Sequence, residues 1–444
     1  MTQLNVNYKN TYTGIFALNY FTQGVNQSIV AIVIPIYLLN LLTTIDGSAI
    51  GFLASISLAP WAIKFLFGIL SDKYGTKKLG RRKPYITLPI SLGGLIWIIV
   101  PFLITANNAI ILFTIAGFLI NIGTAMGDTA IDGMILDLCP EEKLGKTQGT
   151  CWSFRSLGSI VGGPFLAFSI SFIPAEFIFI ILGVMMMVFS ALVLFIKEKT
   201  YYEDVEIAKN LKLMFTNKRN WKVYGFAFLN AIVDGVIVLY VSLYVLVQWG
   251  LVGAQGASIS LLEENINLYF PQAIVAMVIG IGVIFGALIG GYLSDEKSRK
   301  LAVYSSFLVT SAALLLMLLP VTLWLLFILS AFLGSTWGWR NSAYSAVAGE
   351  VSKQYPEMDS TYFSICNSFA NFGTTLGISI VGMIFAAAKG FTGDIYELYI
   401  VIFITMAVLQ NLGIIFFVML DPKEYEYKLS EQRQKLREED ELTK

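Results

Sequence analysis

Gly68-Ile69-Leu70-Ser71-Asp72-Lys73-Tyr74-Gly75-Thr76-Lys77-Lys78-Leu79-Gly80-Arg81-Arg82-Lys83 is the stretch from which the chain is read. It is a short basic turn between two apolar runs, residues 48–71 and 85–105. A run of about 20 apolar residues is long enough to cross a bilayer as a helix. The turn therefore joins two crossings, and its cations hold it on the cytoplasmic face. Outward from it, ten further runs are expected to cross, near 14–42, 108–137, 146–171, 175–196, 222–249, 271–294, 301–319, 322–348, 360–388 and 395–420. The expectation is an all-α membrane protein of twelve transmembrane helices.

Composition agrees. The chain has 444 residues, 56% hydrophobic and only 14% charged, with a mean hydropathy of +0.70. Soluble domains carry about 25% charge, so most of this surface must face lipid. Of the 30 Lys and Arg residues, 26 fall in the loops and termini of one side, where only Lys389 falls on the other. That asymmetry places both termini in the cytoplasm. Residues 1–9 are polar and show no signal-peptide pattern. Thirty cations against 30 anions give no net charge, which argues against a nucleic-acid partner. Histidine is absent, which removes histidine triads, zinc-protease sites and imidazole relays. Cys139, Cys151 and Cys366 support neither a disulfide framework nor a paired metal site. No metal or other cofactor is expected. Lacking a phosphate-binding GxxxxGK[ST] loop, the chain has no ATP-driven step.

The chain also repeats itself. Gly14-Ile-Phe-Ala-Leu-Asn19 in the first run is matched by Gly225-Phe-Ala-Phe-Leu-Asn230 in the seventh, and Gly123/Gly127 by Gly334/Gly338. Gly68-Ile-Leu-Ser-Asp72 recurs as Gly291-Tyr-Leu-Ser-Asp295, and Ser153-Phe154 with Gly158 and Gly162 recurs as Ser368-Phe369 with Gly373 and Gly377. Matches in chain order indicate two duplicated six-helix halves about a pseudo-two-fold along the membrane normal. The expected domains are an N-terminal bundle (1–196), a charged linker (197–221), a C-terminal bundle (222–420) and a charged cytoplasmic tail (421–444).

These features carry a resemblance. Gly68, Asp72, Lys73, Gly75, Lys77 and Lys78 resemble the loop signature G-x-x-x-D-[RK]-x-G-x-[RK]-[RK] of the major facilitator superfamily, and the 6+6 plan is similar. Pro60-Trp61-x-x-Lys64 and Asp128-x-x-x-Asp132 are similar to folate–biopterin and muropeptide permeases. Gly80-Arg81-Arg82-Lys83-Pro84-Tyr85 is similar to sugar–cation symporters. The resemblance implies an integral carrier of the plasma membrane working by alternating access. It also implies a cytoplasmic latch of Gly68, Asp72, Gly75, Lys77, Lys78, Arg81 and Arg82, with Gly291 and Asp295 in the second half. A simple topogenic basic loop is the alternative.

Six ionisable residues lie well inside the runs: Lys64, Asp128, Asp132, Arg155, Asp234 and Arg340. Each costs at least about 2.5–3.5 kcal/mol at the centre of a membrane helix, so such groups pair or line water. Lys64, Asp128, Asp132 and Arg155 are read as a coupling group. Asp128 and Asp132, one helical turn apart, would share one face. Asn19, Gln23 and Asn26 form a polar face on the first run, repeated by Asn230 and Asp234 on the seventh. With Trp337, Arg340, Asn341 and Asn371 they are the candidate binding residues for a small polar solute. The expected function is secondary active transport of such a solute, proton-coupled, by a lipid-embedded monomer. A transporter-like solute sensor, an uncoupled facilitator and a membrane-embedded enzyme are the competing readings.

Overall fold

A computed structural model describes residues 8–76, 78–139, 141–198, 207–255, 258–262, 267–352, 359–388 and 395–420. The expected tail at 421–444, Lys77, Lys389 and part of the linker lie outside the described residues, as do the side chains of Asp72 and Asp295.

Thirteen helices run in chain order among the described residues. The first half holds α1 (Asn10–Leu42), α2 (Gly47–Ser71), α3 (Lys83–Leu103), α4 (Ala109–Leu138), α5 (Glu141–Ile160, continued to Ile170) and α6 (Ala175–Leu192). A linker helix α7 (Ile207–Thr216) precedes α8 (Lys218–Gln248), α9 (Tyr269–Tyr292), α10 (Arg299–Leu316), α11 (Leu323–Ser352), α12 (Asp359–Ala387) and α13 (Ile395–Val418). Ten of these are long and apolar enough to cross a membrane. The other two long helices, α5 and α11, fall where crossings were expected but are more polar. Helix α5 opens with Glu141-Glu142-Lys143 and carries Arg155, and α11 carries Arg340-Asn341 and ends near Glu350.

Helix starts follow local chemistry. The Asp46 side chain accepts from Ser48 N–H at 2.8 Å to cap α2. Asn217 caps α8 through Arg219 N–H at 3.0 Å, and Ser298 caps α10 through Leu301 N–H at 3.1 Å. Such caps satisfy N–H groups that have no partner inside the helix. Two helices are interrupted in the middle. Pro60 lies inside α2, and the chain breaks at Ile63 before resuming at Lys64. Helix α8 breaks over residues 231–233 and resumes at Asp234. Helices α1, α5 and α8 each contain a widened π-turn, at Ile29–Val33, Val161–Phe165 and Ile237–Val241.

One feature was not anticipated. Loop 1–2 contributes strand β1 (Thr44–Asp46), and the long loop after α8 contributes β2 (Val252–Gln255) and β3 (Ser258–Leu261). They form an antiparallel sheet in the order β1-β3-β2, with Thr44 opposite Ser260 and Val252 opposite Leu261. The Tyr240 hydroxyl donates to the Gly47 carbonyl at 3.1 Å beside it. The all-α expectation therefore needs this one amendment.

The chain divides into two compact units. One gathers Met1–Ile207 with Val238–Met277 and Thr375–Leu398, the other Ala208–Ile237, Val278–Thr374 and the chain from Tyr399. In the first, Trp97 stacks on Phe179 at 5.1 Å, with Tyr37 and Phe113 edge-on around it. In the second, Phe226 packs with Phe307, Tyr344 and Phe417, and Tyr224 stacks on Phe369 at 4.7 Å. The repeat reappears in packing. A side chain on Gly158 would strike the Phe21 carbonyl of α1, and one on Gly373 would strike the Phe228 carbonyl of α8. Only glycine permits backbones to approach so closely. Outside these cores, Phe102, Phe195, Leu308 and Trp324 stand exposed, as suits a surface bathed in acyl chains.

Candidate functional site

Lys64 is placed by the break at Ile63 in α2, three residues beyond Pro60. The lysine begins the second segment of α2, and its Nζ lies 3.2 Å from an Asp128 carboxylate oxygen on α4. Both are buried, with side chains 8% and 1% exposed. The other Asp128 oxygen, Oδ1, has no partner among the described residues. One turn further along α4, Asp132 accepts a hydrogen bond from the Tyr20 hydroxyl of α1. Arg155 on α5 donates to Gln27 at 3.1 Å and lies over two indoles, 5.4 Å from the Trp61 ring and 4.8 Å from the Trp152 ring. Trp61 in turn donates to Asn121 at 2.8 Å. The group expected to act in coupling is thus gathered in one unit.

The amide face of α1 divides. Asn19 donates to the carbonyls of Ile15 and Phe189, at 2.9 and 3.0 Å. Asn26 accepts from Trp97 at 2.8 Å and donates to the Met186 sulfur at 3.2 Å. These two amides bind α1 to α3 and α6. Gln23, between them, is fully buried, and neither of its amide atoms has a partner among the described residues. Asn230 on α8 is in the same condition. Buried polar groups without partners are rare and costly.

In the second unit, the break over 231–233 puts Asp234 at the start of a helical segment. It accepts from Arg340 of α11 as a buried ion pair, the arginine side chain being fully shielded. Arg340 also donates to Gln410 of α13 at 3.3 Å, and Gln410 donates onward to the Phe307 carbonyl and to Ser311. Trp337 and Asn341 direct their side chains at the same carboxylate. Asn371, half-buried on α12, stands one turn from Asn367, which accepts from Tyr344 at 3.5 Å.

The basic loop is tied down by acids that sequence reading passed over. Arg81 and Arg82 converge on Asp137 at the end of α4, at 3.0 and 3.1 Å. Their backbone N–H groups both donate to Glu198, at 2.9 and 2.8 Å, and Arg82 also reaches Ser71 at 2.9 Å. Gly75 lies against the Arg81 backbone, Gly68 against Thr129, and Lys78 is exposed. In the second unit, Arg299 pairs with Glu350 at 3.5 Å, and Gly291 lies near Ser342. The available signal for Asp137 and Glu350 was their position: each is the acid near the C-terminal end of a helix whose repeat partner carries the other.

Comparison with known proteins accords with this geometry. The family model of the Major Facilitator Superfamily matches residues 16–262 and 251–441. A probable folate-biopterin transporter of Arabidopsis thaliana is 29% identical over 190 residues, which span 42% of this chain but only 38% of that protein. The proton-coupled antiporter flippase LtaA of Staphylococcus epidermidis is 25% identical over 387 residues, 83% of this chain and 87% of its own. Among solved structures, the nucleoside transporter NupG superposes with a TM-score of 0.68 at 14% identity, covering 91% of this chain and 100% of that one. A bacterial homologue of the human lysosomal transporter Spinster, inward-facing and occupied, gives 0.62 at 14% identity, covering 96% and 97%. Ten helices long and apolar enough to cross a membrane and a family match over most of the sequence lead to one conclusion: the chain belongs to the Major Facilitator Superfamily and is an integral multi-pass membrane protein.

Proposed function

We propose that the chain is a proton-coupled secondary carrier of the plasma membrane, moving a small polar organic solute by alternating access. Helices α5 and α11 complete twelve crossings in this reading, with both termini cytoplasmic as the loop charge requires. The observation that carries it is the arrangement on α4. Two carboxylates one turn apart, Asp128 and Asp132, are served by one lysine and one phenol, and one Asp128 oxygen is left open. With no histidine in the chain, a carboxylate has to carry the proton. A proton on Asp128 would free Lys64 and loosen the contact between α2 and α4. Gln23 in the first unit, and Asn230, Asp234, Arg340, Trp337 and Asn341 in the second, are the residues proposed to meet the solute. The names of the relatives, folate-biopterin transporters and a proton-coupled flippase, accord with an organic cargo and a proton gradient.

The test is uptake into proteoliposomes under an imposed pH gradient, using solutes selected from sugars, pterins, nucleosides, amino acids and organic acids by thermal shift. Asp128→Asn and Asp132→Asn are expected to uncouple uptake from the gradient. Unchanged pH dependence in both, and in Asp234→Asn, refutes the proposal.

A further inference from the structure

Three cations lie within the membrane-spanning region, and two are neutralised by contact: Lys64 by Asp128 and Arg340 by Asp234. Arg155 differs. Among the described residues it makes no ion pair, and its one hydrogen bond goes to the neutral amide of Gln27. The indoles of Trp61 and Trp152 flank it at 5.4 and 4.8 Å. Cation–π contacts hold such a group in place without cancelling its charge. Its guanidinium carries five N–H donors, and most remain available. Asp132 acts on Arg155 only through space, and N–H donors left open at membrane depth are wetted or meet a ligand. Ser153 and Ser156 are exposed beside Trp152 on this stretch of α5, together with Leu157 and Ile160.

We propose that Arg155 is the docking point for the solute's oxyanion, a carboxylate or phosphate carried on a flat apolar body that lies against Trp152. The planar guanidinium fork matches two oxygens of such a group at once. Trp61, buried and fixed by its hydrogen bond to Asn121, is the rigid wall. Trp152, half-exposed with Tyr20 edge-on at 6.1 Å, is the open stacking face. Because Tyr20 also holds Asp132, the anion would bind near the carboxylate that neighbours the Lys64–Asp128 pair. This inference rests on the reading of the chain as a solute carrier and names the class of its cargo.

The experiment is titration of the purified full-length protein in neutral detergent, followed by tryptophan fluorescence and thermal shift. The probes are benzoate, phenyl phosphate and inorganic phosphate, with benzamide and benzyl alcohol as uncharged counterparts. Benzoate or phenyl phosphate is expected to bind saturably, and the uncharged counterpart at least about tenfold more weakly, a difference of about 1.4 kcal/mol. Arg155→Gln should abolish the difference. Arg155→Lys, which keeps the charge, should weaken benzoate more than inorganic phosphate, because only the planar fork meets a carboxylate at two points. Should Arg155→Gln fail to fold, the lysine variant and Trp152→Leu, expected to weaken benzoate but spare inorganic phosphate, carry the test. Tighter binding of phenyl phosphate than benzoate would assign the phosphate, the reverse the carboxylate. Absence of anion binding, equal binding of acid and amide, or wild-type binding by Arg155→Gln overturns the proposal. Arg155-dependent binding without proton-driven uptake would defeat the carrier reading alone. Proton-driven uptake restricted to uncharged solutes would defeat this inference alone.

Discussion

The two units each bury a lysine or arginine against an aspartate, yet they treat the pair differently. Arg340 and Asp234 form the more enclosed arrangement: the cation is fully shielded, Gln410 takes a second amino group, and the chain of hydrogen bonds ends on α10, although Arg340 Nε has no partner among the described residues. Lys64 and Asp128 form an open one, with one carboxylate oxygen unpartnered and a second carboxylate a turn away. A closed pair is a structural element whose loss exposes a buried charge. An open pair next to a spare carboxylate can exchange protons with little rearrangement. Duplication therefore supplied two similar halves, and the polar residues added to each separated a fixed pair from an adjustable one.

Several substitutions would break or sharpen this contrast. The largest effect is expected for Arg340→Met, which strands Asp234 and should cost about 3–5 kcal/mol, read as a fall in thermal stability. Adding Asp234→Leu should recover most of that loss. If the double variant is no better than the single, the second pair is not the closed arrangement described. Lys64→Gln should cost less, about 1–3 kcal/mol at neutral pH. Acidification lets the stranded carboxylate of either variant take up a proton, so both deficits should narrow as pH falls. A deficit that stays constant with pH in either variant would show that no stranded carboxylate causes it. Tyr20→Phe removes the hydrogen bond to Asp132 and should cost about 1 kcal/mol, while displacing the pH profile of uptake. A stability loss with an unaltered profile would make Tyr20 purely structural. Smallest are the loop pairs: Asp137→Asn and Glu350→Gln should each cost about 0.2–1 kcal/mol. Asp137 should be the larger because it holds two arginines, compared by thermal melting at low salt.

Much of this was legible before folding. Runs of apolar residues located the helices to within a few positions, because hydropathy is a sum along the chain and needs no neighbours. The duplicated glycines were visible too, and Gly158 and Gly373 proved to occupy matching contacts. Lys64 was grouped with Asp128 and Asp132 without a choice between them, and it meets Asp128 at 3.2 Å. What could not be read was the use of each polar side chain. Asn19 and Asn26 looked the same as Gln23 on a helical face, but the first two are consumed by Phe189 and Trp97, and only Gln23 is left without partners. Arg155 was grouped with the titrating carboxylates, yet its nearest companions are two indoles and an amide. The small sheet of β1, β2 and β3 was missed because its strands are too short to show alternation and pair across a long sequence separation.

Composition and loop charge were sufficient to specify a polytopic membrane protein, since a bilayer rewards apolar length and basic flanks whatever lies beside them. The division of the six charges of the expected crossings into a shielded pair, a cluster around Asp128 and Asp132, and an arginine between two indoles depended on tertiary packing. Rotation of each helix about its axis, and the breaks at Ile63 and over 231–233, set which groups come within hydrogen-bonding distance, and no local pattern encodes those rotations.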